Sequence, residues 1–288
     1  MNTRSIVKKY NIRFSKSLGQ NFLIDKNILI QINEAIKPMS DELIIEVGAG
    51  VGSLTEYIFK NAGLVVAVEI DKHLIEAFND NVGINENVVI LNKDILKIDI
   101  QKEIIEKYRN QNINKIKKVK VVGNLPYYIT TPVIMKFLEN VQGIDSMVFM
   151  MQKEVAERLA AKPGNKNYGA LTVAARYYCD IKKLFDVPPI SFMPKPNVVS
   201  SVVSFDLTKP SDININDKEL FLKVVKASFA QRRKTLVNSL CNSGYLKIEK
   251  SSVVEILKKL NINPLTRGEM LDIYQFAYLS NHVEKYIL

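Results

Sequence analysis

Cysteine and histidine are the scarcest reactive residues in this sequence: Cys179, Cys241, His73 and His282 are the only ones. The two cysteines stand far apart and neither belongs to a CxxC pair. That excludes a disulfide framework and a His/Cys zinc site, and leaves both cysteines as interior thiols. Long apolar runs are missing too. No stretch reaches the about 18 uninterrupted apolar residues of a membrane helix, and the basic opening MNTRSIVKKYNIRF has no apolar h-region behind it. A cytoplasmic protein without membrane association is expected. Acidic residues are outnumbered, thirty against forty Lys and Arg, for a formal charge of +10. Such an excess attracts a polyanion, nucleic acid before others, without saying which. What is plentiful is apolar side chain: 47% of 288 residues, enough for one large domain and a smaller one.

The apolar residues are arranged in alternation. LIIEVGAGVGSLTEYIFKN reads as strand, glycine-rich turn and helix; LVVAVEID and KHLIEAFNDN repeat the pair; NVVILNKDIL is a third strand ending in polar residues. A helical pattern from Ile100 to Asn110, a basic bridge NKIKKVK, a strand ending in NLPYY, a helix over Thr131–Glu139 and a strand over Asp145–Met151 continue the series. This order predicts a layered α/β domain with a largely parallel sheet. QKEVAERLAAK reads as a helix, KPGNKNYG as an exposed basic loop and YGALTVAARYYCD as a further helix. The prolines of VPPISFMPKPNV forbid helix there, and the alternation from Val198 to Leu207 predicts a strand at a sheet edge or in a terminal hairpin. Beyond Thr208, KELFLKVVKASFAQRRKTLVNSL, SSVVEILKKL and GEMLDIYQFAYLSNHV are helix patterns. They predict two domains, 1–208 and 209–288.

Glu46-Val47-Gly48-Ala49-Gly50-Val51-Gly52 carries the first chemical signal. Glycines permit a tight turn and close ligand approach, and the amides opening the next helix can face polar groups of a nucleotide-like ligand; a purely structural turn uses the same spacing. Glu69 ends the next strand, where a carboxylate can accept both hydroxyls of a ribose or simply cap a helix. Asp94 ends the third strand. It can accept from an adenine amine, with Ile95 against the ring, or serve as an N-cap. A hydride-transfer enzyme needs an acid or base on the following strand, yet that strand ends Asn124-Leu125-Pro126-Tyr127. A sulfonium methyl donor needs none, being electrophilic already.

The ordered set LGQNFL (Leu18–Leu23), EVGAGVG, Glu69 in VEID, Asp94 in KDIL, NLPY, MQKEVAERL (Met151–Leu159), FMPKPNV (Phe192–Val198) and FAQRRKTL (Phe229–Leu236) resembles the small-subunit (16S) ribosomal RNA adenine N6-dimethyltransferase family across nearly the whole chain. The resemblance implies a Rossmann-like S-adenosylmethionine-dependent methyltransferase domain and a small C-terminal helical domain for RNA-substrate recognition. It implies that S-adenosyl-L-methionine is held by Gln20, Asn21, Leu23, Glu46, Gly48, Gly50, Glu69, Ile70, Asp94, Ile95 and Asn124. It further implies dimethylation of two adjacent adenines near the 3′ end of small-subunit rRNA, in an immature 30S particle, by a monomer.

An exocyclic adenine amine is a poor nucleophile because its lone pair is delocalised into the ring. The Asn124 oxygen and the Leu125 carbonyl, displayed by the turn at Pro126, are two acceptors for its two hydrogens and would turn the lone pair toward the methyl. Tyr127 can stack on one face of an unpaired adenine, and Phe192 on the other, unless Phe192 seals the core. Lys8, Lys9, Arg13 and Lys16, then Lys162 and Lys166, then Arg232, Arg233 and Lys234 form three basic clusters suited to RNA phosphates. One departure stands out. The family often continues NLPY as NIST, whereas Tyr128-Ile129-Thr130 follows here, which puts only the pocket rim in question. Two rivals remain: the large-subunit adenine methyltransferase linked to macrolide resistance, and an RNA-binding assembly or transcription factor on the same fold that does not depend on catalysis.

Overall fold

The computed structural model describes residues 3–15, 17–111, 116–208 and 212–287. Its strands are β1 (Phe22–Leu23), β2 (Glu42–Val47), β3 (Leu64–Glu69), β4 (Val88–Asn92), β5 (Lys118–Asn124), β6 (Ser146–Gln152), β7 (Asp180–Val187), β8 (Phe192–Met193) and β9 (Ser200–Asp206). The α-helices are α1 (Thr3–Lys9), α2 (Lys26–Ile36), α3 (Thr55–Ile58), α4 (Ile75–Val82), α5 (Lys107–Gln111), α6 (Thr130–Asn140), α7 (Lys153–Ala160), α8 (Ala170–Tyr178), α9 (Lys218–Phe229), α10 (Leu236–Asn242), α11 (Lys250–Lys259) and α12 (Ile273–Val283). A π-helical turn, Gln101–Glu106, precedes α5.

Seven strands form one sheet in the order β4-β3-β2-β5-β6-β9-β7. The pairs from β4 to β6 are parallel and β6–β9 is antiparallel. β2 and β3 are buried at every residue, which is why apolar residues dominate them, with Glu42, Glu46 and Glu69 the buried exceptions: a parallel strand covered on both faces has no solvent side. Chain order reverses between β2 and β5, and in open α/β sheets the crevice at such a reversal, beyond the carboxyl ends of the strands, receives ligands.

Several expectations change. β9 lies between β6 and β7, so of its two expected places it is not the edge itself but belongs to the terminal pair of the sheet. The edge is β7, whose exposed Lys182, Lys183 and Asp186 conceal its strand character in the sequence. The basic bridge is partly strand, since β5 begins at Lys118. Lys120 is turned to use there: its Nζ lies 2.8 Å from buried Glu42 and donates to the Ile36 and Lys37 carbonyls at the end of α2. α1 and α2 were not anticipated; Asp25 caps α2 by accepting the Asn27 N–H.

The chain forms two compact units, Met1–Ala156 with Ile181–Thr208, and Glu157–Asp180 with Lys209–Leu288. Residues 157–180 thus differ from the division at 208/209, whose second side begins on residues outside those described. The reason is packing within the second unit. The Tyr177 and Phe221 rings lie 5.5 Å apart, buried Tyr168 and Val173 share a core with Phe221, Leu240, Ile256 and Phe276, and the Tyr168 hydroxyl donates to the Leu271 carbonyl at 2.9 Å. The long helical pattern after Lys218 breaks between α9 and α10. Thr235 caps α10, so Arg232, Arg233 and Lys234 occupy an exposed turn.

Candidate active site

At the carboxyl end of β2, Gly48 and Gly50 adopt φ of +70° and +59°, left-handed backbone that a side chain resists. A Cβ on Gly50 would also meet the Phe22 ring at 2.8 Å. The Gly50 N–H is turned onto Glu69, donating to Oε2 at 2.8 Å, while the Asp71 N–H donates to Oε1 at 2.9 Å. Both oxygens of Glu69, a residue only 6% exposed, are therefore anchored, each with a lone pair to spare. Burial raises the Glu69 pKa and these backbone donors oppose the rise. Glu46 is more enclosed. No cation faces it among the described residues; the Thr55 hydroxyl donates to it at 2.5 Å, and burial, with Glu69 adding repulsion, pushes its pKa to about 8.

Asp94 closes a turn after β4, its Oδ1 accepting the Leu96 N–H at 2.9 Å. The carboxylate thus closes a turn and caps no helix, since the next helical segment begins at Gln101, and it also has a place on the cleft wall. Lys136 of α6 supports that turn from behind, donating to the Leu96 and Ile98 carbonyls at 2.9 and 2.7 Å. Ile95 is buried, and Ile70 is an exposed aliphatic side chain on the cleft.

β5 delivers the opposite wall. The Leu125 N–H donates to the Met150 carbonyl at 3.1 Å, extending the sheet by one bond into the turn. The Pro126 carbonyl is consumed by the Ile129 N–H and the Thr130 hydroxyl, both at 3.1 Å. Asn124 Nδ2 donates to the Asn21 carbonyl at 2.8 Å, which identifies the other end of the amide as oxygen. Among the described residues neither Asn124 Oδ1 nor the Leu125 carbonyl accepts a hydrogen bond. The Tyr127 hydroxyl is held 2.9 Å from Ser200 Oγ. The two walls are close: a Cβ on Gly48 would lie 3.7 Å from the Asn124 carbonyl oxygen and 3.9 Å from Pro126 Cδ.

One cleft is thus lined by Gln20, Asn21, Leu23, Glu46, Gly48, Gly50, Glu69, Ile70, Asp94, Ile95, Asn124, Leu125, Pro126 and Tyr127. Phe192 is elsewhere. β8 pairs with β1, opposing Phe192 to Leu23, and its ring, 3% exposed, packs with Leu29, Val187 and Val202. The core-sealing alternative describes it, because a short antiparallel pair turns its side chain inward. Tyr128 is 58% exposed and lies over the strap before β1, with ring carbons 3.3 and 3.4 Å from the position of a Gly19 Cβ. Sequence reasoning passed over Asp71, Thr55, Lys136 and Ser200. Asp71 and Thr55 sit inside quoted stretches, whereas Lys136 and Ser200 lie in predicted elements with nothing local to mark their tasks.

The basic clusters are unequal. Lys8 and Arg13 are exposed, Lys9 pairs with Asp80 at 2.6 Å, and Lys16 lies outside the described residues. In the second unit Arg232 donates to the Lys166 and Tyr168 carbonyls and stands 3.7 Å from Glu269. It braces the loop that carries Lys162 and Lys166, so two sequence clusters merge into one exposed group with Arg233 and Lys234.

A parallel sheet with an antiparallel pair at one side, a glycine turn after its first strand, acidic residues at the end of the second and just beyond the third, and NLPY on the fourth define a Rossmann-like methyltransferase domain. A family model described as ribosomal RNA adenine dimethylase matches residues 11–278, and the chain belongs to that family. It is 47% identical to the ribosomal RNA small subunit methyltransferase A of Alkaliphilus oremlandii, over 98% of this chain and 96% of that protein. It is 44% identical to the protein of the same name from Listeria monocytogenes serotype 4b, over 99% and 96%. In structure it is similar to a dimethyladenosine transferase from Plasmodium falciparum (TM-score 0.74, 24% identity, 91% of this chain and 98% of that one). It is also similar to the 23S rRNA methyltransferase ErmE (TM-score 0.70, 20% identity, 91% and 99%). At these identities the two structural likenesses concern the fold. No helix among the described residues is long and apolar enough to cross a membrane.

Proposed function

We propose that this protein is an S-adenosyl-L-methionine-dependent adenine N6-dimethyltransferase that modifies two adjacent adenines near the 3′ end of small-subunit rRNA, in an immature 30S particle, as a cytoplasmic monomer. Membership of the family and the small-subunit names of its relatives support the substrate class. The observation that carries the chemistry is the orientation of Asn124, whose nitrogen is occupied by the Asn21 carbonyl and whose oxygen is left for another partner.

The cleft fits the donor. Left-handed Gly48 leaves a gap that a side chain would fill, and anchored Glu69 has one free lone pair on each oxygen for a pair of ribose hydroxyls. When bound, S-adenosyl-L-methionine supplies a methyl group on a positively charged sulfur. Glu69 would hold the ribose, Asp94 with Ile95 and Ile70 the adenine, and the Gly48–Gly50 turn with Gln20, Asn21, Leu23 and Glu46 the methionine part. Asn124 Oδ1 and the Leu125 carbonyl accept the two hydrogens of the target amine. That pulls the nitrogen toward tetrahedral geometry with its lone pair facing the methyl, a gain of positioning and preorganised electrostatics. The nitrogen gives up a proton once it carries the methyl. Tyr127, braced at its hydroxyl, stacks on one face of the flipped base, while the other face is not served by the buried Phe192. Lys8, Arg13, Lys162, Lys166, Arg233 and Lys234 contact phosphates, and Arg232 acts by bracing their loop.

Undermethylated small-subunit particles incubated with methyl-labelled S-adenosyl-L-methionine should acquire label at two adjacent adenines near the rRNA 3′ end. Label confined to large-subunit rRNA, or none at all, would overturn the proposal.

A further inference from the structure

The strap Leu18–Asn21 is attached at both walls of the cleft. The Ser15 N–H donates to Gln20 Oε1 at 2.8 Å, and Gln20 Nε2 donates to Asp71 Oδ2 at 2.8 Å. The first bond identifies the amide oxygen and so makes the second a nitrogen-to-carboxylate contact. Asp71 is itself fixed twice: its N–H donates to Glu69 Oε1 at 2.9 Å, and its Oδ1 accepts the His73 N–H at 3.0 Å. One residue along the strap, the Asn21 carbonyl accepts Asn124 Nδ2 at 2.8 Å. A continuous path therefore runs from Glu69 through Asp71, Gln20 and Asn21 to Asn124.

We propose that Asp71 is a positioning residue which, by holding Gln20, sets the strap and aims Asn124 Oδ1 into the cleft. The two ends of a carboxamide are nearly the same shape, and an inverted Asn124 would offer a donor to an amine that needs an acceptor. Among the described residues the Asn21 carbonyl is the group that distinguishes the two orientations. Its position depends on the strap, which on the Glu69 side is hydrogen-bonded through Gln20 to Asp71. The kinetic consequence rests on the methyl-transfer reading; the structural one does not.

Asp71→Asn tests this in the full chain. Asparagine still accepts the His73 N–H as an N-cap, but it cannot present a carboxylate oxygen to Gln20 while doing so. The expected result is a fall in kcat of about tenfold, with KM for S-adenosyl-L-methionine within about twofold of wild type, the loss of one aligned hydrogen bond's positioning. In the ligand-free protein, hydrogen-exchange protection of the Asn124 carboxamide, read by NMR, should fall in parallel. Adding Gln20→Glu reverses the contact, since the new carboxylate can accept from the new amide and still accept the Ser15 N–H. This double variant should regain carboxamide protection and a higher kcat than Asp71→Asn alone. Wild-type kcat and protection in Asp71→Asn, a raised KM with unchanged kcat, or a double variant that does not recover protection would each overturn the proposal. If the wild-type protein methylates no rRNA, the functional reading fails while the exchange measurement still decides the latch.

Discussion

The two walls of the cleft are built on opposite plans. On the donor wall the acidic side chains are already engaged: Glu69 by two backbone N–H groups, Glu46 by the Thr55 hydroxyl, Asp94 by the Leu96 N–H. On the NLPY wall the Leu125 N–H goes to the Met150 carbonyl of β6 and the Pro126 carbonyl to the turn itself, which leaves Asn124 Oδ1 and the Leu125 carbonyl unspent. The first plan makes folding and ligand binding share the same bonds. The second separates them at the accepting oxygens, so removing the Asn124 side chain costs the fold only the one bond from its Nδ2 to the Asn21 carbonyl.

Asn124→Ala should have the largest effect. Turnover should fall by about 100-fold or more, the scale for removing one preorganised polar contact to a reacting group. Folding and binding of S-adenosylhomocysteine, followed by thermal melting and calorimetry, should stay near wild type. Unchanged turnover would remove Asn124 from the reaction. Glu69→Ala should behave in the opposite way, leaving the Gly50 and Asp71 N–H groups without their acceptor. Calorimetry should show donor affinity reduced by at least about tenfold, and the melting temperature should drop as well. A stable variant with weakened binding alone would show that the donor wall separates the two tasks after all.

Glu46 sharpens the contrast through pH. Its folded pKa, about 8, lies above the ordinary 4.5, so the native state holds the proton more tightly than the unfolded chain does. Its contribution to stability is complete below 4.5 and is lost as pH rises through about 8. The melting temperature should therefore decline across that window, and Glu46→Gln should flatten the decline; an identical slope in the variant would dismiss the assignment. The smallest effect is expected at Ser200→Ala. Loss of the 2.9 Å contact to Tyr127 forfeits one hydrogen bond, net about 1 kcal/mol, and so a few-fold in kcat. Tyr127→Phe should have a similar effect, and combining the two should add little, as a double-mutant cycle would reveal.

Legibility followed burial and locality. β2 and β3 were readable because strands covered on both faces carry uninterrupted apolar cores, residues 43–45 and 64–68, and the EVGAGVG and NLPY turns because their residue types serve their own backbone. β7 was not, since an edge strand with Lys182, Lys183 and Asp186 facing solvent has the composition of a loop. Lys136 and Ser200 were not either. Lys136 supports the Asp94 turn from 40 positions along the chain and Ser200 braces Tyr127 from 73, with nothing near either residue to mark the task.

Local chemistry therefore belonged to the sequence: which segments are the strands of a largely parallel sheet, where the glycine turn and the NLPY turn fall, and which carboxylates follow the strands, because each depends on residues a few positions apart. Tertiary structure decided the rest. It brought Gly48 within a side chain's width of Asn124 and Pro126, oriented the Asn124 amide by a carbonyl 103 residues away, turned Phe192 into the core and joined residues 157–180 to the helical unit. Each of these is a pairing of distant segments, fixed by strand register and packing, which no local pattern of residues encodes.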